Sequence, residues 1–246
     1  MDRKNLITLL EWDSKFFGFP IGRINKNNIN ESDYFEIETF SRKNKLRLLQ
    51  FQCDVNDPIS ILTAESLGFH FADYRVNYLM EIQDKEILEL HLSDEFCVRH
   101  AYEADSLALQ NIAGSTYRSS RYYFDLNFPR DKVDEFYKNW VSKSVIGLFD
   151  DLTLVFEYKN IVIGFICITI CEHTARFTLV GMHEKYSNKG LGKIFFKQAI
   201  NMLKKKRLRY IKTITQGRNI IAQNFYNKVG FKIEHVEIYY HLWITQ

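Results

Sequence analysis

Two glycines separated by one residue lie in a basic turn of the sequence. The stretch KYSNKGLGKIFFKQAI (185–200) places Gly190 and Gly192 directly before an apolar pattern of helical period. The first amides of a helix have no acceptor within the helix, and the positive end of the helix dipole lies beside them. Glycine also lets the backbone approach an anion closely. The turn therefore predicts a phosphate-binding site.

Two common phosphate-binding patterns do not fit this turn. The pattern GxxxxGK[ST] is absent, and GxGxxG fails because Phe195 stands at its third glycine. The strand before the turn, ARFTLVGM, pairs by its pattern with IVIGFICITI as an antiparallel hairpin joined at 172–173. These features exclude a P-loop hydrolase and a dinucleotide-binding fold.

A second stretch with chemical potential is NIIAQNFYNKVGFKI (219–233). Asn219 and Tyr226 lie two helical turns apart and share a face, while Ile221, Phe225 and Val229 are expected to cover the core side. A phenol of ordinary pKa, about 10, is protonated at neutral pH and can donate a proton. The alternatives are that Tyr226 only packs and that Asn219 only caps the helix.

Arginines and aromatic residues are concentrated in a third stretch, STYRSSRYYFDLNFPR (115–130), which is expected to be free of helix. An aromatic surface and cations suit a base and a diphosphate, and WDSKFFG (12–18) supplies a second candidate wall. Packing between two domains would explain either stretch equally well. His173, His183 and Glu184 lie near a strand end, but none is a convincing general base.

Composition narrows the classes of protein. The chain has 246 residues, 46% of them hydrophobic and 15% aromatic, and 33 basic against 30 acidic residues give a net charge of +3. This indicates a globular protein and not a dedicated nucleic-acid binder. No signal-peptide pattern or membrane-spanning run is seen, so a cytoplasmic protein without a membrane partner is expected. Cys53, Cys97, Cys167 and Cys171 are expected to be buried free thiols, with no metal site.

The periodicity predicts an α/β protein. Strands are expected near 5–11, 19–25, 46–54, 69–82, 95–100, 151–158, 161–171, 174–182, 208–215 and 231–244, and helices near 31–44, 57–67, 102–114, 131–145, 190–206 and 219–229.

One internal repeat is specific. SLGFHFADYRVNYLM (66–80) parallels KVGFKIEHVEIYYHL (228–242), and in each a tyrosine, Tyr78 or Tyr240, follows the helix-ending glycine by ten residues. An ordinary helix-to-strand join is the alternative. We favour duplication, with an N-terminal partial copy over 1–90 and a larger domain over 91–246.

The glycine turn and the second stretch together resemble the GNAT superfamily of acyl-CoA N-acyltransferases over about residues 95–246. The family pattern Arg/Gln-x-x-Gly-x-Gly/Ala reads here from Ser187 to Gly192, with serine at the Arg/Gln position. The resemblance implies a twisted, mixed but mostly antiparallel sheet flanked by helices. It implies acyl-CoA as the cosubstrate, no metal, an amide near Val180 facing the thioester carbonyl, and Tyr226 as general acid. The implied cosubstrate contacts are Leu179, Val180, Gly181, Ser187, Asn188, Lys189, Gly190, Leu191, Gly192, Lys193, Asn219 and Tyr226.

Nearly the full chain is similar to the bacterial dTDP-fucosamine acetyltransferase group, through LEWDSKFFGFPIGRI, TQGRNIIAQNFY and the stretch SRYYF. That resemblance implies transfer of an acetyl or a longer acyl group, such as 3-hydroxybutyryl, to a dTDP-linked amino-deoxysugar for lipopolysaccharide, O-antigen or capsule. The acceptor contacts would be Trp12, Phe17, Arg118, Arg121, Tyr123 and Phe124. The alternatives are a GNAT enzyme for another amine, including a protein amine, and an inactive acyl-CoA-binding module. The oligomeric state is left open, a homodimer included.

Overall fold

A computed structural model describes residues 5–82 and 95–244. The first half of the chain alternates short strands and helices. Its elements are β1 (Ile7–Leu9), α1 (Glu11–Phe17), β2 (Ile21–Ile24), α2 (Tyr34–Lys43), β3 (Leu48–Asp54), α3 (Pro58–Ser66) and β4 (His70–Glu81). The second half is longer and has more helix. Its elements are β5 (Phe96–His100), α4 (Ser106–Thr116), α5 (Arg121–Phe124), α6 (Arg130–Val145), β6 (Leu152–Tyr158), β7 (Ile161–Cys171), β8 (Thr174–Met182), α7 (Leu191–Lys205), β9 (Tyr210–Gln216), α8 (Ile220–Val229) and β10 (Lys232–Trp243).

All ten strands form one sheet, in the order β1-β2-β3-β10-β4-β9-β8-β7-β6-β5. The first eight strands in this order form two mirrored sets of four, because β1-β2-β3-β10 on one side matches β7-β8-β9-β4 on the other. Parallel pairing occurs only at β2–β3 and β8–β9, which are equivalent positions, while the other described pairs are antiparallel. The sheet is thus mixed and mostly antiparallel, and its first half is a smaller copy of the second.

The last strand of each half crosses into the other half. Strand β4 pairs with β9 and β10, and β10 pairs with β3 and β4. Each half therefore completes its sheet with a strand that the other half supplies. The domain boundary expected at residue 90 lies outside the described residues.

The repeated segment has the same local cause in both halves. Gly68 and Gly230 adopt φ of +81° and +100°, the left-handed region that ends a helix and that glycine adopts without strain. The following strands, β4 and β10, are both twelve residues long and lie next to each other. The backbone geometry agrees with duplication.

Two short helices were not expected from the sequence. Helix α1 occupies part of WDSKFFG, where Gly18 ends it at φ +85°, and α5 lies within the stretch expected to be free of helix. Each helix turns one aromatic residue inward, because Phe17 and Tyr122 are both 4% exposed. Tertiary packing of these rings stabilises helices too short to form alone.

Packing buries apolar side chains on both faces of the sheet. Helices α7 and α8 cover one face in the second half, α4 and α6 cover the opposite face, and α2 and α3 cover the first half. All four cysteines were expected to be buried, and this is wrong for two of them. Cys53 and Cys167 are buried, but Cys97, on the edge strand β5, and Cys171, at the end of β7, are exposed. The four thiols are free.

Within residues 5–82 and 95–244, no helix combines the length and apolar character needed to cross a membrane. The same residues contain no group of His, Cys, Asp and Glu side chains arranged to hold a metal ion.

One largely buried carboxylate connects the end of α5 to the last strand, β10. Asp125, just after α5, contacts His241 Nδ1 at 2.6 Å and accepts a hydrogen bond from Trp243 Nε1 at 2.8 Å. Burial alone would raise the pKa of Asp125, but these hydrogen bonds outweigh it and lower the pKa to about 2. Burial lowers the pKa of His241, and the contact with Asp125 offsets this in part.

Acid should therefore destabilise the fold through this pair. The unfolded chain binds a proton at His241 below about pH 6.5 and at Asp125 below about pH 4, while the folded chain resists both. We expect the free energy of unfolding, measured by urea titration, to fall as the pH drops from 6.5 towards 2. Asp125→Asn should cost about 2 kcal/mol at pH 7 and flatten the curve between pH 4 and 2. Asp131→Asn, at an exposed position of α6, is the control. Equal pH curves for both variants would contradict the assignment.

Candidate active site

A cleft of about 1270 Å³ opens between the two halves of the sheet. Its lining comes from β8, β9, α7 and α8 on one side and from α1, β2, β3, β4 and the segment 115–122 on the other. Single ligand pockets usually measure roughly 300–1,000 Å³. The cleft exceeds this range, and its two sides come from different parts of the chain.

The cleft begins where two parallel strands separate. Strands β8 and β9 pair from Thr174 and Tyr210 as far as Phe177 and Thr213, and the pairing ends there. A bulge in β8 at Thr178 accompanies the separation, and its hydroxyl donates to Asp150 Oδ1 at 2.6 Å. The rest of β8 presents an open edge that lines the cleft and can pair with an extended ligand.

The backbone of Val180 faces this opening. The hydroxyl of Tyr117, at the end of α4, donates to Val180 O at 3.0 Å, and the Tyr117 ring stacks on Tyr137 with centroids 4.3 Å apart. The amide and the carbonyl of one strand residue project from the same edge. The Val180 amide is thus oriented as its expected role requires, and that role stays a prediction.

The glycine turn lies at one end of the cleft. Gly190 precedes α7 at φ +77°, and no side chain of the described residues caps the helix. A Cβ at Gly190 would meet nothing within 4 Å, so the space beside these amides is open. Ser187, Asn188, Gly190, Gly192 and Lys193 line the cleft. Lys189 and Leu191 do not; Lys189 Nζ lies 5.8 Å from the Tyr186 ring centroid.

The equivalent turn in the first half has lost these properties. The short 3-10 helix Glu31–Asp33 leads into α2 there, and the Asn30 side chain accepts from Ser32 N. Asp33 in turn accepts from Asn30 N at 2.9 Å. Side chains already satisfy these amides, and the acidic residues would repel an anion. Of the two turns, only the second leaves the first amides of its helix without side-chain caps among the described residues.

Tyr226 lies on α8 at the inner wall of the cleft. It is 5% exposed, and its ring centroid is 5.3 Å from that of Tyr78. Burial raises the pKa of Tyr226 to about 12, although a hydrogen bond with Thr213 lowers it in part. The phenol remains protonated throughout the physiological range. Its position is compatible with both a proton donor and a packing residue.

The start of α8 corrects one expectation. Asn219 lines the cleft, but its side chain accepts a hydrogen bond from Ala222 N at 3.1 Å, as a helix cap does. Ile221 was expected on the core side and is 76% exposed, at the cleft mouth. Helix α8 begins too close to the opening for its first turn to reach the core.

The expected acceptor residues divide into two groups. Trp12, Arg118 and Arg121 line the cleft, and the Arg121 guanidinium lies 4.3 Å and 4.2 Å from the ring centroids of Tyr122 and Tyr239. Three others do not line it, which contradicts their expected contact with a ligand. These are Phe17, Tyr123 and Phe124.

Phe17 and Phe124 are kept from the cleft for different reasons. Phe17 packs in the core, with its ring centroid 4.8 Å from that of Phe128 and 5.3 Å from that of Phe136. Phe124 is exposed and stacks under the Arg218 guanidinium at 4.1 Å. It contacts the cleft only through that arginine.

Sequence reasoning missed most of the polar lining contributed by the first half. Asp13, Arg23, Gln50, Gln52 and Arg75 all line the cleft. His183 and Glu184 were expected to be structural, and His183 Nδ1 accepts from Lys185 N at 3.2 Å, as a turn-capping residue does.

Comparison with known proteins defines the class of this chain. Residues 113–231 match the model of the acetyltransferase (GNAT) family, so the chain contains a GNAT acetyltransferase domain. The domain covers the glycine turn, the open edge of β8 and Tyr226. Acyl-CoA is the acyl donor of this family.

Among curated proteins, the chain is similar to the spore coat polysaccharide biosynthesis protein SpsD of Bacillus subtilis. The two are 24% identical over 142 residues, which is 56% of this chain and 48% of SpsD. The matched part thus spans about half the length of that relative.

Solved structures share the fold across both halves. A GCN5-related N-acetyltransferase from Sphaerobacter thermophilus has a TM-score of 0.66 at 7% identity, covering 96% of this chain and 75% of that one. A tandem GNAT protein from the clavulanic acid biosynthesis pathway has a TM-score of 0.61 at 11% identity, covering 92% and 75%. These likenesses confirm the predicted fold class, including an N-terminal partial copy.

Proposed function

We propose that this protein transfers an acetyl or another short acyl group from acyl-CoA to the amino group of a dTDP-linked amino-deoxysugar. The observation that carries the proposal is the side of the cleft lined by α1, β2, β3, β4 and the segment 115–122, here called the second arm; the opposite side, lined by β8, β9, α7 and α8, is the first arm. The first half of the chain contributes much of the wall of the second arm, and an acetyltransferase for a simple amine would not need this additional half.

The charge of the second arm favours a diphosphate. Five arginines line the cleft: Arg23, Arg75, Arg118, Arg121 and Arg218. Glu237 lies 3.5 Å from Arg75 and Asp73 lies 3.0 Å from Arg218. The other three have no ion pair among the described residues, so their charge remains available for an anionic acceptor.

Aromatic side chains in the same arm suit a base or a sugar ring. Trp12, Tyr122 and Trp140 line the cleft beside the arginines. Flat apolar rings next to cations match a ligand that combines a base, a sugar and a diphosphate.

The first arm supplies the means for acyl transfer. Acyl-CoA would supply an activated thioester. The amides before α7 would hold its diphosphate, and the edge of β8 would align its extended arm. The Val180 amide can donate a hydrogen bond where negative charge develops on oxygen, and the Tyr226 hydroxyl can donate a proton to the departing sulfur.

The comparisons support a sugar as the acceptor, without indicating a nucleotide sugar. SpsD is described as a polysaccharide biosynthesis protein. A structure with a TM-score of 0.61 at 10% identity, which covers 96% of this chain and 30% of that chain, is described as a glucosamine N-acetyltransferase region. The first description names polysaccharide biosynthesis and the second names an amino sugar, and both are compatible with the proposed acceptor.

Release of free thiol from acetyl-CoA tests the proposal. The acceptors would be dTDP-linked 3-amino- and 4-amino-dideoxyhexoses, with free glucosamine, spermidine and a lysine peptide for comparison. We expect kcat/KM at least 100-fold higher for a dTDP-sugar than for the other amines. Preference for the peptide or the polyamine would favour a general amine acetyltransferase. Binding of acetyl-CoA without turnover of any acceptor would favour an inactive module.

Arg121 should affect the acceptor and not the acyl donor. Loss of a charge-assisted contact to a diphosphate should raise KM for the dTDP-sugar roughly 10- to 100-fold in Arg121→Ala. KM for acetyl-CoA should change by less than about twofold. Because Arg121 is stacked between two rings, Arg118→Ala serves as a second variant at an exposed position of the cleft. Arg42→Ala, exposed on α2, is the control. If KM for acetyl-CoA changed more than KM for the dTDP-sugar, the segment 115–122 would contact the acyl donor and not the acceptor.

A further inference from the structure

The carboxylate of Asp13 lies in the cleft without an ion-pair partner. Asp13 lies in the first turn of α1, is partly buried and lines the second arm. Within residues 5–82 and 95–244 its side chain forms no ion pair, and it accepts a hydrogen bond only from its own backbone amide. A carboxylate removed from water without such contacts costs folding free energy. Its position in the cleft suggests that a ligand completes the missing contacts.

The electrostatic surroundings of Asp13 agree with that view. Burial raises the pKa of Asp13, and the charge of Arg121, a hydrogen bond from its own backbone amide and the charge of Arg23 offset the rise only in part. Both arginines line the same arm, but neither approaches closely enough to form an ion pair with it. The carboxylate is thus held near positive charge and left open on the cleft side.

A second, independent observation comes from the floor of the same arm. Gln50 on β3 is 2% exposed and lines the cleft. Its side chain lies beside the Tyr122 hydroxyl, which already accepts from Arg121, and its Nε2 makes no hydrogen bond of good geometry among the described residues. The Nε of Arg121 is also buried and without a partner there. Native proteins leave few buried polar groups unsatisfied, and those that remain call for an explanation such as a ligand.

The three groups are chemically complementary. Asp13 offers a hydrogen-bond acceptor, while Gln50 and Arg121 offer donors. A ring that carries hydroxyl groups and an amine can both donate to the carboxylate and accept from the amide. A diphosphate alone would place negative oxygens next to this negative side chain, so the group that meets Asp13 must donate hydrogen bonds.

We propose that Asp13 and Gln50 are specificity-determining residues that bind the amino-sugar ring of the acceptor, with Asp13 accepting a hydrogen bond from a ring hydroxyl or from the ammonium group. This inference rests on the proposed function, because it locates the sugar within the arm that the arginines line. Asp13 holds the ring and takes no part in the transfer of the acyl group.

Titration calorimetry with Asp13→Asn tests the inference. The probes are dTDP, a dTDP-4-amino-4,6-dideoxyhexose and the matching dTDP-sugar with a hydroxyl in place of the amine. Loss of one charged hydrogen bond predicts affinity for the amino sugar weaker by roughly 10- to 100-fold. Affinity for dTDP should stay within about twofold, because dTDP lacks the ring. A loss for both sugars would identify a ring hydroxyl as the partner, and a loss for the amino sugar alone would identify the ammonium group.

Stability separates this role from a structural one. Because Asp13 forms no ion pair, and Asn keeps an oxygen that can accept from the same backbone amide, Asp13→Asn should keep Tm within about 2 °C of the wild type or raise it. Glu11→Gln, at an exposed position of the same helix, should change neither binding nor Tm. Wild-type affinity for the amino sugar in Asp13→Asn, or an equal loss for dTDP, would overturn the inference while leaving the proposed function intact. Failure of the wild type to bind any dTDP-sugar would overturn both.

Discussion

Tyr226→Phe should lower kcat about 10²- to 10⁴-fold and leave both KM values nearly unchanged. The substitution keeps the buried ring and removes only the hydroxyl that can donate a proton to sulfur, and general acid catalysis typically contributes roughly that factor. Burial raises the pKa of Tyr226 to about 12, so the hydroxyl carries its proton at every pH near neutral. The measurement is steady-state turnover with both substrates saturating.

Tyr78 provides a matched control for this prediction. Its ring lies against that of Tyr226, it is 0% exposed, and its hydroxyl has no hydrogen-bond partner among the described residues. Tyr78 does not line the main cleft. Tyr78→Phe should therefore leave kcat within about twofold and should not lower Tm. If Tyr226→Phe behaves like Tyr78→Phe, Tyr226 is a packing residue.

Gly190→Asp should weaken coenzyme A binding by at least about 100-fold. The aspartate would introduce a negative charge beside the amides proposed to hold a diphosphate, and its Cβ would occupy the open space there. Titration calorimetry with coenzyme A measures the effect. Gly190→Asn carries a side chain of the same size without the charge, so the difference between the two variants isolates the electrostatic part.

Backbone strain needs its own control, because Gly190 has φ +77°. Gly147, after α6, has φ +73°, and a Cβ there would likewise meet nothing within 4 Å. Gly147→Asp imposes similar strain far from the glycine turn and should leave coenzyme A affinity unchanged. Unaltered affinity in a folded Gly190→Asp variant would show that the diphosphate binds elsewhere.

The parts of this fold that the sequence predicted best are those with strong local signals. The hairpin of β7 and β8, the long helices α6 and α7, and the glycines that end α3 and α8 all follow from periodicity and from positive φ. The open edge of β8 could not be derived in this way, because it depends on where β9 stops pairing. Such a separation is a property of two strands together and has no signature in either one.

The residues that line the second arm of the cleft were predicted only in part. Arg118 and Arg121 stood out because cations and aromatic residues cluster around them, yet the same reasoning placed Phe17 and Phe124 at the ligand. The sequence did contain a signal for the part of the cleft formed by β3. In this strand Gln50 and Gln52 alternate with Leu49, Phe51 and Cys53. Polar residues on one face of a buried strand indicate that this face meets something other than the core.

The exchange of β4 and β10 has a consequence for how the chain reaches this structure. During synthesis, β3 and β4 emerge long before β10, which must insert between them. Until then both strands present unpaired edges, and such edges invite pairing with other chains. Contacts between segments so distant in sequence also slow folding. We therefore expect refolding to be limited by docking of β10, and the first half, expressed alone, to aggregate instead of forming an independent unit.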